Sequence, residues 1–401
     1  MKRTLIALFC LIFLPYNIVF ADDFLDTDFT DKTIFEVSSK IVNEPSINSK
    51  NAIVLDRKTL TPLYEKNSNA QVPMASTTKI LTCIIALENC NKNEIVTVSS
   101  KSSSVNGSTL GLKTNMKISI NDLLYGLMLR SGNDCAIAIA EHISGSVENF
   151  STLMNSKAFE LGLLNSNFVT PHGLDNQNHY TTAYDLAILT DYALKNPDFK
   201  KIVSTKIATI SFNGYPREIS NTNELLGNID GVYGVKTGFT FEAGRCLVSS
   251  CIRNNLDIIV VVLGADTKSM RTKDSKNLID YIFSNYNYID VSNVIDKSFS
   301  TVIPYFNNYY NLYKTTTIPI LKLEKLENYN FPLKETDISN LKTKIYIQKQ
   351  YSSTSVPQNI VGKLELYNNQ KLLCSSLIIL ENKLEPNSWL FYFRQALYKY
   401  K

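Results

Sequence analysis

The sequence predicts an α/β domain, in which helices flank an antiparallel sheet and a helical lobe is inserted, followed by a small all-β domain and a C-terminal amphipathic helix. Strand-like apolar runs at residues 51–56 and 231–263 lie at the two ends of one long segment, so both ends are expected to enter one sheet. Between them, until about residue 206, apolar residues recur with helical spacing. Beyond residue 290, short runs with a period of two predict the separate β domain.

The N-terminus is typical of an exported protein. Lys2 and Arg3 precede an apolar run, and Ala21 closes a small-residue cleavage pattern, which predicts a secretory signal peptide at residues 1–21. Residues 22–46 are polar with little periodicity, so we expect a loosely ordered leader there. No later stretch has the roughly 18 continuous apolar residues of a membrane span.

Length, charge and cysteine content narrow the functional class. A chain of 401 residues exceeds one ordinary domain. Two basic residues lie in the signal, which leaves a formal charge of +2 from the full +4, and no basic patch with interleaved aromatics indicates nucleic-acid binding. Cys83 and Cys90 lie two turns apart on one predicted helix, and Cys246 and Cys251 lie on one predicted strand, so neither pair suits a disulfide. We expect free thiols, no metal and no cofactor.

The α/β domain, assigned to residues 47–288, opens with a hairpin. Residues 51–56 form a buried strand, Arg57-Lys58 the turn and residues 62–65 the partner strand. Pro73 ends the extended chain, and the apolar residues after Ser76 recur at i, i+3 and i+4, which predicts a helix. The same spacing predicts helices at residues 119–128, 134–143, 147–161 and 181–195, and a short strand is expected at 94–98.

After residue 206 the apolar period changes from helical to strand-like. Residues 231–240 and 246–252 predict two strands, Asn254-Asn255 predicts a tight turn, and the apolar run at 257–263 predicts a fully buried strand. A helix at residues 269–286 closes the domain.

The C-terminal part carries two further patterns. Residues 344–348 and 363–367 alternate polar and apolar side chains, and a strand at 372–380 follows the turn Asn368-Asn369, which predicts a β domain over residues 292–384. In residues 386–401, Trp389, Phe393 and Leu397 recur along one side of a helix opposite basic residues, which predicts a membrane-surface anchor. A terminal helix packed on the β domain is the alternative.

Ser76 and Lys79 stand three residues apart at the start of the first predicted helix. One helical turn brings the lysine amine to the serine hydroxyl, and an amine held neutral by burial or nearby positive charge can take the hydroxyl proton. The helix N-terminus favours the oxyanion that would follow. Alone, the pattern is common, and a capped surface helix is the simpler explanation.

Two further motifs favour the chemical interpretation. Ser131-Gly132-Asn133 follows Ser76 by 55 residues, and Lys236-Thr237-Gly238 follows Ser131 by 105. Three such motifs in this order make the signature of the serine penicillin-interacting enzymes.

Over residues 45–380 the chain resembles the low-molecular-mass penicillin-binding proteins that act as serine-type D-alanyl-D-alanine carboxypeptidases. Segments 171–175, 179–186 and 231–244 also look like segments of that family. The resemblance implies a penicillin-binding/β-lactamase-like fold, peptidoglycan stem peptides ending in D-Ala-D-Ala as substrates, and β-lactams as covalent inhibitors. It also implies a cell-wall enzyme with a role in cell shape, held peripherally at the outer face of the cytoplasmic membrane.

Carried over to the matching residues, the resemblance assigns the chemical steps to the first two motifs. Ser76 would be the acylated nucleophile and Lys79 its base. Ser131 would relay a proton to the departing D-alanine, and Asn133 would hold the substrate amide.

The third motif would bind the substrate. Lys236 and Thr237 would hold the terminal carboxylate with the help of Arg271, and Gly238 would let the strand approach the substrate closely. The oxyanion hole would consist of the backbone N–H groups of the nucleophile and Phe239. Many relatives carry histidine where Phe239 stands, so only the backbone of this residue can serve.

Other interpretations stay open at this point. The motifs do not separate a carboxypeptidase from a DD-endopeptidase. A β-lactamase would need a glutamate in a Glu-x-x-Leu-Asn motif, and the closest segment, residues 160–165, is one residue too long. A non-catalytic penicillin-sensing or cell-wall-binding protein has no need of both Ser76 and Lys79. A Ser-His triad built on His142, His172 or His179 is disfavoured, because the last two lie in turn-like segments where imidazoles commonly bond the backbone.

Overall fold

The structure is a computed structural model that describes residues 24–29, 43–310, 320–348, 358, 360–382 and 393. It divides into two compact units. The larger unit comprises Ser39–Tyr288 with Pro332–Glu335, as far as these are described. The smaller unit comprises the described parts of Met1–Ser38, Ile289–Phe331 and Thr336–Lys401.

Helices and strands are numbered in chain order. The strands are β1 (Phe24–Phe29), β2 (Asn51–Asp56), β3 (Pro62–Lys66), β4 (Ile95–Thr97), β5 (Lys117–Ser119), β6 (Ile207–Phe212), β7 (Tyr215–Ser220), β8 (Val232–Thr240), β9 (Gly244–Arg253), β10 (Leu256–Ala265), β11 (Tyr286–Asp290), β12 (Leu321–Leu323), β13 (Asn330–Lys334), β14 (Leu341–Gln348), β15 (Ile360–Asn368) and β16 (Lys371–Leu380). The α-helices are α1 (Lys79–Asn89), α2 (Ser100–Ser103), α3 (Ile120–Leu129), α4 (Asn133–Ser144), α5 (Val147–Glu160), α6 (Ala183–Lys195), α7 (Pro197–Ser204), α8 (Lys268–Asn285) and α9 (Ser292–Tyr310). Two 3-10 helices lie at Ala75–Thr78 and Glu335–Asn340.

The larger unit is built on a five-stranded antiparallel sheet in the order β3-β2-β10-β9-β8. Strand β10 lies at its centre, and the continuous apolar run there is buried on both faces. Asn254 and Asn255, both at positive φ, form the two-residue turn that joins β9 to β10. The expectation that both ends of the segment enter one sheet is therefore confirmed.

Helices cover both faces of this sheet. Ile259, Val261 and Leu263 belong to one cluster of buried side chains, shared with α1, α3, α4 and α6. Val260 and Val262 point to the other face and pack in a second cluster with α8. The helices predicted at 119–128, 134–143, 147–161, 181–195 and 269–286 are confirmed with shifts of one or two residues at their ends.

Two helices of the larger unit were not predicted, the four-residue α2 and the longer α7. The chain was expected to leave its helix before Pro197, but α7 begins at that proline. Asn196 caps it by accepting hydrogen bonds from the N–H groups of Asp198 and Phe199. Proline suits the first helical position, where no N–H is needed, so it starts a helix here rather than only ending one.

The smaller unit contains a second antiparallel sheet, in the order β1-β14-β15-β16-β12. Strands β14, β15 and β16 contain the three predicted runs. Two expectations were wrong. The leader was expected to be loosely ordered, yet Phe24–Phe29 pairs with β14 along its whole length. The unit is not all-β, because α9 lies within it, and Val294, Ile295 and Phe299 do recur at helical spacing.

The predicted signal peptide, residues 1–21, lies outside the described residues, and so does the predicted anchor at 386–401 apart from Phe393. Within the described part of the chain, no helix is both long and apolar enough to cross a membrane. The cysteines of that part, from Cys83 to Cys374, are free thiols, as expected.

Gly173 offers a test of the packing beside the first helix. A Cβ at this position, where φ is +85°, would lie 1.9 Å from the carbonyl oxygen of Ala75. Because backbone must move to relieve that overlap, we expect Gly173→Ala to lower the free energy of unfolding by roughly 4 kcal/mol in urea titrations.

Gly145 provides the matched control. Its φ is +74°, but a Cβ there meets nothing within 4 Å, so Gly145→Ala should cost only about 1 kcal/mol. Equal losses in the two variants would show that backbone conformation, rather than the contact with Ala75, determines the cost at Gly173.

Candidate active site

Ser76 lies in the 3-10 helix that runs directly into α1. Ala75 before it has φ of +49°, a conformation that non-glycine residues rarely adopt, and the turn is closed by Thr77 and Thr78, whose hydroxyls donate to the carbonyls of Met74 and Ala75. The side chain of Ser76 is partly exposed, whereas Lys79 one turn later is fully buried. The hydroxyl can therefore meet a substrate while the amine is held away from water.

The amine of Lys79 has three oxygen partners. Its Nζ lies 2.8 Å from Ser76 Oγ, 2.8 Å from Asn133 Oδ1 and 2.7 Å from the carbonyl oxygen of His172. Two of these are pure acceptors, and only the hydroxyl can also donate. A neutral amine therefore points its two N–H bonds at Asn133 and His172, and its lone pair at the Ser76 hydroxyl.

The environment favours the neutral form of Lys79. Burial lowers its pKa well below the usual value, and the positive charge of Lys236 lowers it further, while Cys135 and Asp134 oppose the shift only in part. Ser76 and Lys79 of the first motif thus form one hydrogen-bonded group with Asn133 of the second. An amine that is neutral and faces a hydroxyl can act as a general base.

The second motif forms the turn between α3 and α4. Ser131 has φ of +60° and is 7% exposed, and its hydroxyl makes no hydrogen bond to any residue that the structure describes. Asn133, the first residue of α4, donates from Nδ2 to the carbonyl of Asn106 and from its backbone N–H to Ser108. The oxygen and the nitrogen of its side-chain amide are therefore both hydrogen-bonded within the chain. The contact of this amide with the substrate stays a prediction.

Asp134 fixes the loop that holds Asn133. Its buried carboxylate accepts hydrogen bonds from the backbone N–H groups of Leu110, Gly111 and Leu112. Sequence reasoning missed this role, although a carboxylate in the first turn of a helix is a recognisable signal.

The third motif lies on β8, the edge strand of the sheet. Lys236 is buried, and burial together with the charge of Arg271 lowers its pKa to about 7. The hydroxyls of Thr237 and Thr222 lie 2.8 Å apart. A Cβ on Gly238 would come within 3.1 Å of Ser76 N and of Ala75 Cβ, so this glycine allows β8 to approach the 3-10 helix. The near neighbour is the nucleophile's own backbone, and the close approach of the strand to the substrate stays a prediction.

Arg271 of α8 is buried and bonded to a carboxylate. Its Nη2 lies 3.2 Å from Glu224 Oε2, and Lys268 binds the same glutamate. Its Nε is buried without a hydrogen-bond partner. Burial and the nearby charge of Arg245 lower the pKa of Arg271 to about 10. Phe239 is half exposed and lies under the guanidinium of Arg245, an arginine that sequence reasoning did not single out.

The buried histidines bond the backbone, as expected. His172 Nδ1 accepts from the N–H of Leu174, and His179 Nδ1 accepts from that of Val169. Burial lowers the pKa of His172 to about 3 and that of His179 to about 4, so both imidazoles are neutral. With Nδ1 of His179 accepting, its Nε2 carries the proton and lies 2.8 Å from Thr78 Oγ1. Neither imidazole bonds Ser76, and no Ser-His triad forms.

Away from this site, three groups lie together near the C-terminal end of α1. Ligand atoms of Cys90, Glu94 and His142 are within 4.8 Å of one another, although the sequence spacing had indicated no metal. His142 Nε2 lies 2.9 Å from Glu94 Oε2, so an ordinary surface hydrogen bond explains why these two side chains lie together.

Comparison with known proteins agrees with this geometry. A family model described as D-alanyl-D-alanine carboxypeptidase matches residues 38–267. The chain belongs to the D-alanyl-D-alanine carboxypeptidase family. The carboxypeptidase DacF of Bacillus subtilis is 37% identical over 270 residues, which cover 64% of this chain and 68% of that protein. The carboxypeptidase DacC of Escherichia coli is 33% identical over 61% of this chain and 64% of its own length.

Solved structures show the same fold. Penicillin binding protein 5 from Haemophilus influenzae matches with a TM-score of 0.68 and 27% identity, over 86% of this chain and 99% of that one. The Streptomyces K15 DD-transpeptidase matches with a TM-score of 0.58 and 33% identity, over 61% of this chain and 100% of that one. As a member of the carboxypeptidase family, this chain is a serine-type peptidase with an α/β penicillin-binding-protein fold.

Proposed function

We propose that this family member removes the terminal D-alanine from peptidoglycan stem peptides through an acyl-enzyme on Ser76, and that β-lactams acylate the same residue. One observation supports this most directly. The buried amine of Lys79 lies 2.8 Å from Ser76 Oγ, and its other two partners can only accept hydrogen bonds. Few arrangements besides nucleophilic catalysis need a lysine held neutral against a serine hydroxyl.

Acylation begins with a proton transfer. Ser76 donates its hydroxyl proton to Lys79 Nζ while Oγ attacks the carbonyl carbon between the two D-alanines. The charge that develops on the carbonyl oxygen is stabilised by the N–H of Ser76, at the start of the helical turn, and by the N–H of Phe239 on β8. The short approach of Gly238 to Ser76 keeps these two donors close together.

The tetrahedral intermediate then collapses. The C–N bond breaks, and the departing amine of D-alanine takes a proton that Lys79 supplies through the hydroxyl of Ser131. This hydroxyl has no hydrogen bond to a described residue, so it is free to relay the proton. In deacylation a water molecule gives its proton to Lys79 and attacks the ester carbonyl. The bond from this carbon to Ser76 Oγ then breaks, and Lys79 returns the proton to Oγ, which releases the shortened peptide and restores both residues.

The positive groups on β8 and α8 suit the terminal carboxylate. Lys236 and Thr237 would bind it, with the charge of Arg271 behind them. A carboxylate at this point favours the charged form of Lys236 and raises the pKa of that amine from its value of about 7 in the free enzyme.

The first prediction concerns the nucleophile. Intact-protein mass spectrometry of the mature chain with benzylpenicillin should show one covalent adduct, because one hydroxyl is paired with a neutral amine. Ser76→Ala should remove it. Ser131→Ala, which also deletes a hydroxyl at the site, should slow adduct formation but leave the adduct on Ser76. An adduct that persists in Ser76→Ala would contradict the assignment.

The second prediction is the pH dependence of acylation. The rate constant of the free enzyme should rise with pH as Lys79 loses its proton, and should fall again above about pH 7 as Lys236 loses the charge that binds the carboxylate. Lys236→Arg should keep the rising limb and lose the falling one, since arginine stays charged. A falling limb unchanged in that variant would assign it to another group.

The third prediction concerns location. We propose that the chain is exported and that residues 386–401 hold it on the membrane surface, because their aromatic stripe and basic residues suit an interface with anionic lipids. The three basic side chains Arg394, Lys399 and Lys401 would contribute about 1 kcal/mol each.

A chain that ends at Leu384 should therefore hydrolyse soluble peptide normally yet fail to sediment with anionic vesicles. Neutral vesicles serve as the control, since they should retain the full-length chain less well. If the full-length mature chain stays in the supernatant with anionic vesicles at low salt, residues 386–401 are not an anchor.

A further inference from the structure

Arg245, on β9, is a charged side chain that no acidic group of the described residues pairs with. Its guanidinium carbon lies 3.7 Å from the centroid of the Phe239 ring, and the side chain is half-buried. Within the described residues it makes no hydrogen bond and no ion pair. A half-buried guanidinium normally satisfies its donors with a carboxylate or a carbonyl, so its five N–H groups indicate a binding capacity that the chain itself does not use.

The sheet register brings Arg245 to the carboxylate-binding motif. Phe239 pairs directly with Arg245, and Thr237 pairs with Leu247. Since side chains alternate along a strand, these four residues share one face of the sheet. Leu247 packs in the same buried cluster as α8, so this is the face on which the helix of Arg271 lies.

Positive charge is concentrated around Arg271, beside this face. The positive charge of Arg271 lowers the pKa of Lys236, and that of Arg245 lowers the pKa of Arg271. The nearby carboxylate of Glu224 is shared between Arg271 and Lys268. Arg271 also keeps a buried Nε without a partner.

We infer that Arg245, held over the ring of Phe239, binds the terminal carboxylate of the substrate, while Arg271 contributes its charge from behind through its fixed position on Glu224. This deepens the proposed function, on which it rests. Arg271 is 3% exposed and bonded to Glu224, so it is poorly placed to follow a ligand, whereas Arg245 is accessible and free.

In this proposal the side chain of Phe239 positions Arg245, in addition to the role of its backbone N–H in the oxyanion hole. A guanidinium stacked on an aromatic face keeps its N–H edge outward and loses little entropy when it binds. Its planar fork matches the two oxygens of a carboxylate. The same pairing of ring and cation makes recognition depend on a free acid at the end of the peptide.

The test compares an acid with its ester in a pair of matched variants. Arg245→Met removes the charge and keeps an unbranched side chain over the ring. Arg253→Met is the control, since Arg253 also lies on β9 and stacks on a phenylalanine ring, Phe283 at 4.9 Å, at the other end of the strand. For each variant, the second-order rate constant of acylation is measured with benzylpenicillin and with its methyl ester.

Arg245→Met should lower the rate constant for benzylpenicillin about tenfold, as loss of a charged hydrogen bond implies, and leave that for the ester within twofold. Arg253→Met should change neither, and Arg245→Lys should recover part of the loss. Equal losses on acid and ester in Arg245→Met, or no loss on either, would overturn the inference.

The outcomes also separate this inference from the proposed function. If the wild-type chain is acylated with the predicted dependence on Arg245 but releases no D-alanine from an acyl-D-Ala-D-Ala peptide, the carboxypeptidase proposal fails and the role of Arg245 stands. If D-alanine is released and Arg245→Met behaves as wild type, only the inference fails. A wild-type chain that benzylpenicillin does not acylate would overturn both.

Discussion

The burial of one amine is the constraint on which the rest of this site depends. A charged ammonium inside a protein costs several kcal/mol unless it is paired, so Lys79 can stay buried only if it is neutral or if each proton has an acceptor. Three separate parts of the chain supply those acceptors: the 3-10 helix with Ser76, the first turn of α4 with Asn133, and the loop that carries the carbonyl of His172. Displacing any of the three parts would expose the amine to water and raise its affinity for a proton.

Much of the surrounding structure holds those parts in conformations that cost free energy. Ala75 and Ser131 adopt positive φ without being glycine, at about 1–2 kcal/mol each. Gly173 fits against the carbonyl of Ala75, where no Cβ would fit, and the carboxylate of Asp134 holds three consecutive backbone N–H groups of the neighbouring loop. Packing and buried hydrogen bonds thus offset the strain that places Ser76 and Asn133 around the amine.

Periodicity and motif spacing predict helices and strands that have a repeating apolar pattern. They do not predict elements and contacts that depend on residues far away in the sequence. The apolar run of β10 and the helical spacing of α3 to α6 gave these elements to within two residues. The strand at Phe24–Phe29 was missed because it is only six residues long and its pairing partner β14 lies more than three hundred residues later. The carbonyl of His172 has no side-chain signal at all, and the isolation of Arg245 becomes visible only when every neighbouring carboxylate has been placed.

The buried free thiols of the larger unit determine whether its folding depends on disulfide formation. Cys83, Cys135, Cys246 and Cys251 are inaccessible, and burial raises the pKa of each thiol, so the reactive thiolate form is suppressed and oxidants cannot reach it. No covalent cross-link must form before these sulfur atoms pack in the interior. These four thiols therefore need no disulfide-forming catalyst to reach their places in the interior.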